Sequence, residues 1–133
     1  MAELRAYAYL KARFPAAHFQ RLETWAGVGV PDINACFRGV EAWVECKEIL
    51  RPAKASSPIR HPKVREAQIA WETHRRFVGG RTFVALMLGE EFRLLPGYSL
   101  IELKAGCFMK RLDTLTLTTD LLFDPSFTTQ KPQ

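Results

Sequence analysis

The stretch Gly29-Val30-Pro31-Asp32-Ile33-Asn34-Ala35-Cys36-Phe37-Arg38-Gly39-Val40-Glu41-Ala42-Trp43-Val44-Glu45-Cys46-Lys47 decides how this chain is read. Two apolar, β-prone runs, 33–37 and 42–49, flank Arg38-Gly39-Val40-Glu41, where Gly39 supplies the bend, and the pattern predicts a hairpin. Gly27-Val28-Gly29-Val30-Pro31 ahead of it reads as a turn that permits close backbone approach. Side chains alternate along a strand, so Val44 and Cys46 fall on one face and Trp43, Glu45 and Lys47 on the other. Asp32 opens the first strand and Glu45 lies on the second, so a tight hairpin brings their carboxylates together where the strands splay. Two converging hard oxygen ligands suit Mg²⁺ or Mn²⁺, with water and a phosphate oxygen completing the octahedron. Lys47 shares the face of Glu45 and can reach an attacking water or a scissile phosphate. Phosphodiester hydrolysis needs a metal to polarise the phosphoryl oxygen, an activated water and positive charge for the developing anion. Asp32, Glu45 and Lys47 can supply all three.

Outward from this stretch the periodicities change. Leu4, Tyr7, Ala8 and Leu10 recur at helical spacing, which predicts a helix from Glu3 to Phe14 that stops before Pro15. A short strand is expected over 18–23. Downstream, 51–63 holds three prolines and two serines among basic residues without periodicity, and reads as a flexible loop that orders on a ligand. Val64, Ala67, Trp71 and Val78 step along one side of a helix over 64–78, with Gln68 one turn beyond Val64 and Gly79-Gly80 as its stop. Thr82 to Leu88 and Phe92 to Leu95 predict a second hairpin, Tyr98 to Ala105 a short helix, and the alternating Leu and Thr of 109–123 a strand. The chain is read as one domain, 1–123, followed by a polar tail, 124–133.

The 133 residues carry a net charge of +5 and are 47% hydrophobic, an ordinary globular composition that needs neither disorder nor disulfide staples. No apolar run approaches the roughly 18–20 residues of a spanning helix. The N-terminus lacks a basic segment followed by an apolar stretch, so secretion and membrane insertion are not expected and a cytoplasmic location is. Cys36, Cys46 and Cys107 form no Cys-x-x-Cys pair and read as buried, reduced thiols.

Charge is concentrated. Arg51, Lys54, Arg60, Lys63, Arg65, Arg75, Arg76 and Arg81 face only Glu66 and Glu72 within 51–81, a local balance of +6 against −1 for the remainder. Such a patch attracts a polyanion, most simply a nucleic-acid backbone. His18, His61 and His74 fall in no recognised catalytic pattern and read as surface or phosphate-contacting residues. Trp25, Trp43 and Trp71 read as core or interface anchors.

Gly-Val-Pro-Asp, then Trp-Val-Glu-Cys-Lys, then a helix with Gln68 and Trp71 that ends in Gly-Gly before a strand resembles the PD-(D/E)XK nuclease superfamily, in its VRR-NUC and phage Holliday-junction-resolvase-like branch. The resemblance covers roughly residues 21–88. It implies a restriction-endonuclease-like α/β core, a central mixed β-sheet flanked by helices. It implies that Asp32 and Glu45 bind a divalent metal, Mg²⁺ with Mn²⁺ able to substitute, and that the main-chain carbonyl of Cys46 adds a ligand. Lys47 would position or activate the water. The family's upstream carboxylate is matched to Glu23, with Glu3 second, and its helix glutamine to Gln68. It further implies an endodeoxyribonuclease acting on branched DNA such as Holliday junctions, a homodimer, and a phage-encoded origin in the host cytoplasm. Arg51, Lys54, Arg60, Lys63, Arg65, Arg75 and Arg76 would grip the DNA backbone. Cys46 departs from the aliphatic residue usual between Glu and Lys.

Glu-x-Lys alone carries little information, and Glu102-Leu103-Lys104 repeats it. That second copy lacks a Pro-Asp at a hairpin's distance upstream. The alternative to an enzyme is a catalytically inactive nucleic-acid-binding module of the same fold, against which the intact Asp32, Glu45 and Lys47 argue. A protein that binds a host partner through Trp and Phe would leave the basic cluster unexplained.

Overall fold

A computed structural model of the chain describes residues 4–22 and 27–129. Helix α1 spans Leu4–Arg13, followed by β1 (His18–Arg21), β2 (Ile33–Phe37), β3 (Val40–Ile49), α2 (Glu66–Phe77), β4 (Thr82–Leu88), β5 (Glu91–Pro96), α3 (Ser99–Ala105) and α4 (Met109–Leu115). A 3₁₀ turn occupies Thr119–Phe123. The strands lie in chain order in one five-stranded sheet. All neighbours are antiparallel except β3 and β4, which run parallel because α2 carries the chain back to the starting edge. This is the expected mixed sheet flanked by helices.

The two faces of the sheet are packed differently. Ala6 and Leu10 of α1 meet Ile33, Ala35, Val44, Cys46, Phe83, Ala85 and Met87 in one apolar cluster. Val84, Leu86 and Leu88, the alternate residues of β4, meet Val64, Leu100, Leu103, Leu112 and Leu115 in the other. In the parallel register Glu45 pairs with Val84 and Lys47 with Leu86, so both charged side chains enter the second layer, under α2.

Several expectations change. The β2–β3 turn is two residues, not four: Arg38 (φ 53°) and Gly39 (φ 80°) both take the left-handed region, as a type I′ turn requires. Residues 109–123 form α4 and a 3₁₀ turn instead of a strand. Leu112 and Leu115, three apart, reach the second apolar cluster, and the hydroxyls of Thr114 and Thr116 donate back to the carbonyls of Lys110 and Leu112, at 3.1 and 2.8 Å. Those bonds give the hydroxyls local partners within and at the end of α4. The second half of the 51–63 loop is pinned, because Ile59 and Cys107 exchange main-chain bonds of 2.7 and 3.0 Å and Ile59 is fully buried. The tail expected from 124 is held as far as Thr129, which is buried and accepts the Thr82 N–H at 3.1 Å.

Candidate active site

Pairing between β2 and β3 ends at Ile33 with Val44, while β3 continues to Ile49. Asp32 sits where the strands part. Its main-chain carbonyl accepts the Leu22 N–H at 2.8 Å, which ties it to the end of β1. Its side-chain Oδ2 accepts the Cys46 N–H at 2.9 Å. The N–H and C=O of a strand residue leave the strand on the same edge, so the Cys46 carbonyl also projects toward Asp32. Glu45, one residue beyond the last β2–β3 pair, stands across from Asp32 and is 3% exposed.

Lys47 is 6% exposed, a rare environment for an ammonium group. Its Nζ donates to Gln68 Oε1 at 3.3 Å, and the same oxygen accepts the Arg65 N–H at 3.0 Å. One amide oxygen therefore satisfies an orphan donor at the start of α2 and holds the lysine amine. The start of the helix is in turn fixed against the turn preceding Asp32. A Cβ at Gly29 would lie 2.2 Å from the Ala67 carbonyl oxygen, and Gly29 has φ +82°, so only glycine permits this approach. A cleft of about 240 Å³ opens between turn and helix, with Asp32 on one wall and Gln68 and Arg65 on the other.

Below this site α2 presents a polar stripe where an apolar one was expected. Gln68 and Glu72 are buried, whereas Val78 is 67% exposed. Glu72 accepts the Thr82 hydroxyl at 2.8 Å and Arg76 Nε at 2.8 Å. Arg76, expected among the DNA-gripping residues, instead makes an internal ion pair with Glu72. Arg81 also turns inward, donating to the carbonyls of Glu41, Leu121, Leu122, Asp124 and Phe127 at 2.8–3.1 Å. Arg75 lies over Trp43 and Trp71, with its guanidinium carbon 4.9 and 4.7 Å from the two ring centres. Lys54, Lys63 and Arg65 are exposed. Arg51 is exposed beside Glu91 at 3.5 Å, and exposed Arg60 donates Nε to the Lys104 carbonyl at 3.1 Å.

The site thus gathers Asp32, Glu45, Cys46, Lys47 and Gln68. Glu23, Glu3 and Trp25 lie outside the described residues. Two buried polar side chains near the site, Glu72 and His61, were not expected to be buried. The spacing of Gln68, Glu72 and Arg76, four apart, was the available signal for Glu72. His61, read as a surface or phosphate-contacting residue, is 9% exposed, and nothing local in the sequence announces its burial. Burial pushes its imidazole below the ordinary value of 6.5, nearby Lys47 and Lys63 add to this, and its own main-chain carbonyl opposes it.

Among the described residues no group of three or more His, Cys, Asp and Glu side chains is arranged to hold a metal. No helix among them is long and apolar enough to cross a membrane. No protein-family model and no curated protein matches the chain. Among solved structures it is similar to a VRR_NUC domain, at 25% identity over 65% of this chain and 84% of that one, with a TM-score of 0.45. It is also similar to Archaeoglobus fulgidus Hjc, a Holliday junction resolvase from an archaeal hyperthermophile, at 18% identity over 89% of this chain and 100% of that one, with a TM-score of 0.45.

Proposed function

We propose that the protein is a metal-dependent endonuclease that hydrolyses DNA phosphodiesters. The observation that carries the reading is the buried Lys47 amine, held by Gln68 on the same strand face as Glu45, beside Asp32 where β2 and β3 part. Burying an ammonium and a carboxylate costs several kcal/mol and is uncommon without a task for them. Asp32 and Glu45 would hold Mg²⁺ or Mn²⁺, with the Cys46 carbonyl as a further oxygen donor. The donor set fits, because Mg²⁺ needs only one or two carboxylates and keeps several waters. When bound, the ion supplies Lewis-acid polarisation of a phosphoryl oxygen and a more acidic water.

The chain's own groups do the rest. The Cys46 N–H fixes one oxygen of Asp32 and leaves the other free to turn outward. Lys47 donates to the phosphoryl oxygens as negative charge builds on them, and Gln68 keeps the amine from swinging away. Lys54, Lys63 and Arg65, with Arg51 and Arg60, offer the backbone-gripping surface, so binding weakens steeply with salt. Branched DNA is the substrate and a two-fold dimer the active form in this reading, as the sequence resemblance implies.

The test incubates labelled four-way junction, duplex and single-stranded DNA with the parent, Asp32→Ala and Lys47→Ala, in Mg²⁺, Mn²⁺ or chelator. Metal-dependent cutting by the parent that both substitutions abolish is the expected result. Cutting that survives both overturns the site, and binding without cutting promotes the inactive module. Light scattering with and without junction DNA decides the dimer.

A further inference from the structure

A groove of about 770 Å³ runs from the end of β3, at Glu48 to Leu50, to the segment Pro58–Lys63. His61 lines it. The segment is not a swinging loop, because Ile59 is bridged to Cys107 and the His61 N–H donates to the Leu103 carbonyl at 2.8 Å. The imidazole Nδ1 is enclosed and has no hydrogen-bond partner. With Nδ1 enclosed, Nε2 is the ring nitrogen left to meet the groove.

The surroundings choose the ligand. Lys47 from β3 and Lys63 from the same segment both bear on the ring. Exposed Arg60 and Lys63 line the groove as well. Glu48, the acidic residue of the lining, is paired with Arg5 at 2.8 Å, an arginine that Glu90 shares. A donor beside Lys47, Arg60 and Lys63 suits an anion better than a metal ion. The proximity of Lys47 puts that anion within a neighbour's distance of the proposed reaction centre.

We propose that His61, together with Lys63, holds a DNA phosphate adjacent to the scissile one and so fixes the path of the strand past Lys47. The identity of the anion rests on the nuclease reading; the site itself rests on the groove and the imidazole. His61 is a positioning residue in this scheme, since it touches a phosphate that does not react.

The test measures affinity in chelator, where nothing is cut. Parent and His61→Ala are titrated with short duplexes that carry one neutral methylphosphonate at successive backbone positions. At one position the neutral linkage should weaken the parent about tenfold and His61→Ala less than about twofold. His61→Gln, which keeps an N–H donor, should restore most of the parent's response. If His61→Ala unfolds, Lys63→Ala replaces it and should show the same position-specific coupling. Additive losses at every position, or no binding of DNA by the parent, overturn the proposal. Because the readout is affinity, a protein that binds with this coupling yet never cuts would sink the nuclease reading alone.

Discussion

The chain contains Glu-x-Lys twice, and the two copies have opposite fates. Glu45-Cys46-Lys47 lies on β3, where a two-residue step returns both side chains to one face, and both are buried under α2. Glu102-Leu103-Lys104 lies on α3, where the same step turns them roughly 200° apart. There Glu102 pairs with Arg111 at 2.6 Å and Lys104 with Glu66 at 2.6 Å, near the surface. The same residue types at the same spacing are buried together in one place and form surface ion pairs in the other. Secondary structure supplies the difference, and with it burial.

The most forceful way to break this comparison is to remove both lysines in turn. Lys47→Ala should lower metal-dependent cutting by about 10²–10³-fold, the scale of losing one positioned charge in a water-poor site. Lys104→Ala should leave it within about twofold. Equal losses in single-turnover kinetics would erase the distinction drawn between the copies.

Next in size is the support under the first copy. Gly29→Ala forces a methyl against the Ala67 carbonyl and should destabilise the fold by about 2–4 kcal/mol. Gly39→Ala, at a similar positive φ with nothing within 4 Å of the added Cβ, should cost only about 1 kcal/mol. Urea midpoints of the two variants separate close packing from backbone strain.

Gln68→Ala should reduce cutting by about tenfold, because Lys47 loses the acceptor that holds it. Glu102→Ala, which frees Arg111 at the surface, should leave cutting unchanged. A gel assay at saturating metal reads both.

The smallest effect sharpens the comparison through pH. The folded pKa of His61 is lowered, so the unfolded ring takes up a proton first as pH falls. Its contribution to stability is complete above its ordinary value of 6.5 and is lost as pH drops from there through the folded value. His61→Gln should flatten that limb of a urea-midpoint profile. His61 touches the second copy only through its main chain, at the Leu103 carbonyl, so Lys104→Ala should leave the limb in place.

The fold was most legible where one signal dominated. The alternation of β3, the apolar run of β4 and the proline stop after α1 each depend on a few adjacent residues. The 109–123 segment misled because Thr and Leu alternate like a strand, while its conformation is settled by distant partners. Arg93 donates to Asp113 and Thr116, and Leu115 is buried in the second apolar cluster. The same holds at the site. Asp32, Glu45 and Lys47 were legible because they share one hairpin. The burial of His61 was not, since it depends on a bridge between Ile59 and Cys107 across more than forty residues. A sum of charges does not say whether a guanidinium faces water, a buried carboxylate, as at Arg76, or main-chain carbonyls, as at Arg81.

Arg81 also decides how the molecule bears force. Its guanidinium gathers carbonyls from the β3 end of the hairpin, at Glu41, and from 121–127 near the other end of the chain, while Thr129 grips the main chain of Thr82. Tension applied at the C-terminus would therefore pass through two side chains, Thr129 and Arg81, into β3 and β4, interior strands of the sheet, before it reached α3 or α4. An ammonium in that place has three donors and no fork, so lysine would conserve the charge and forfeit the joint.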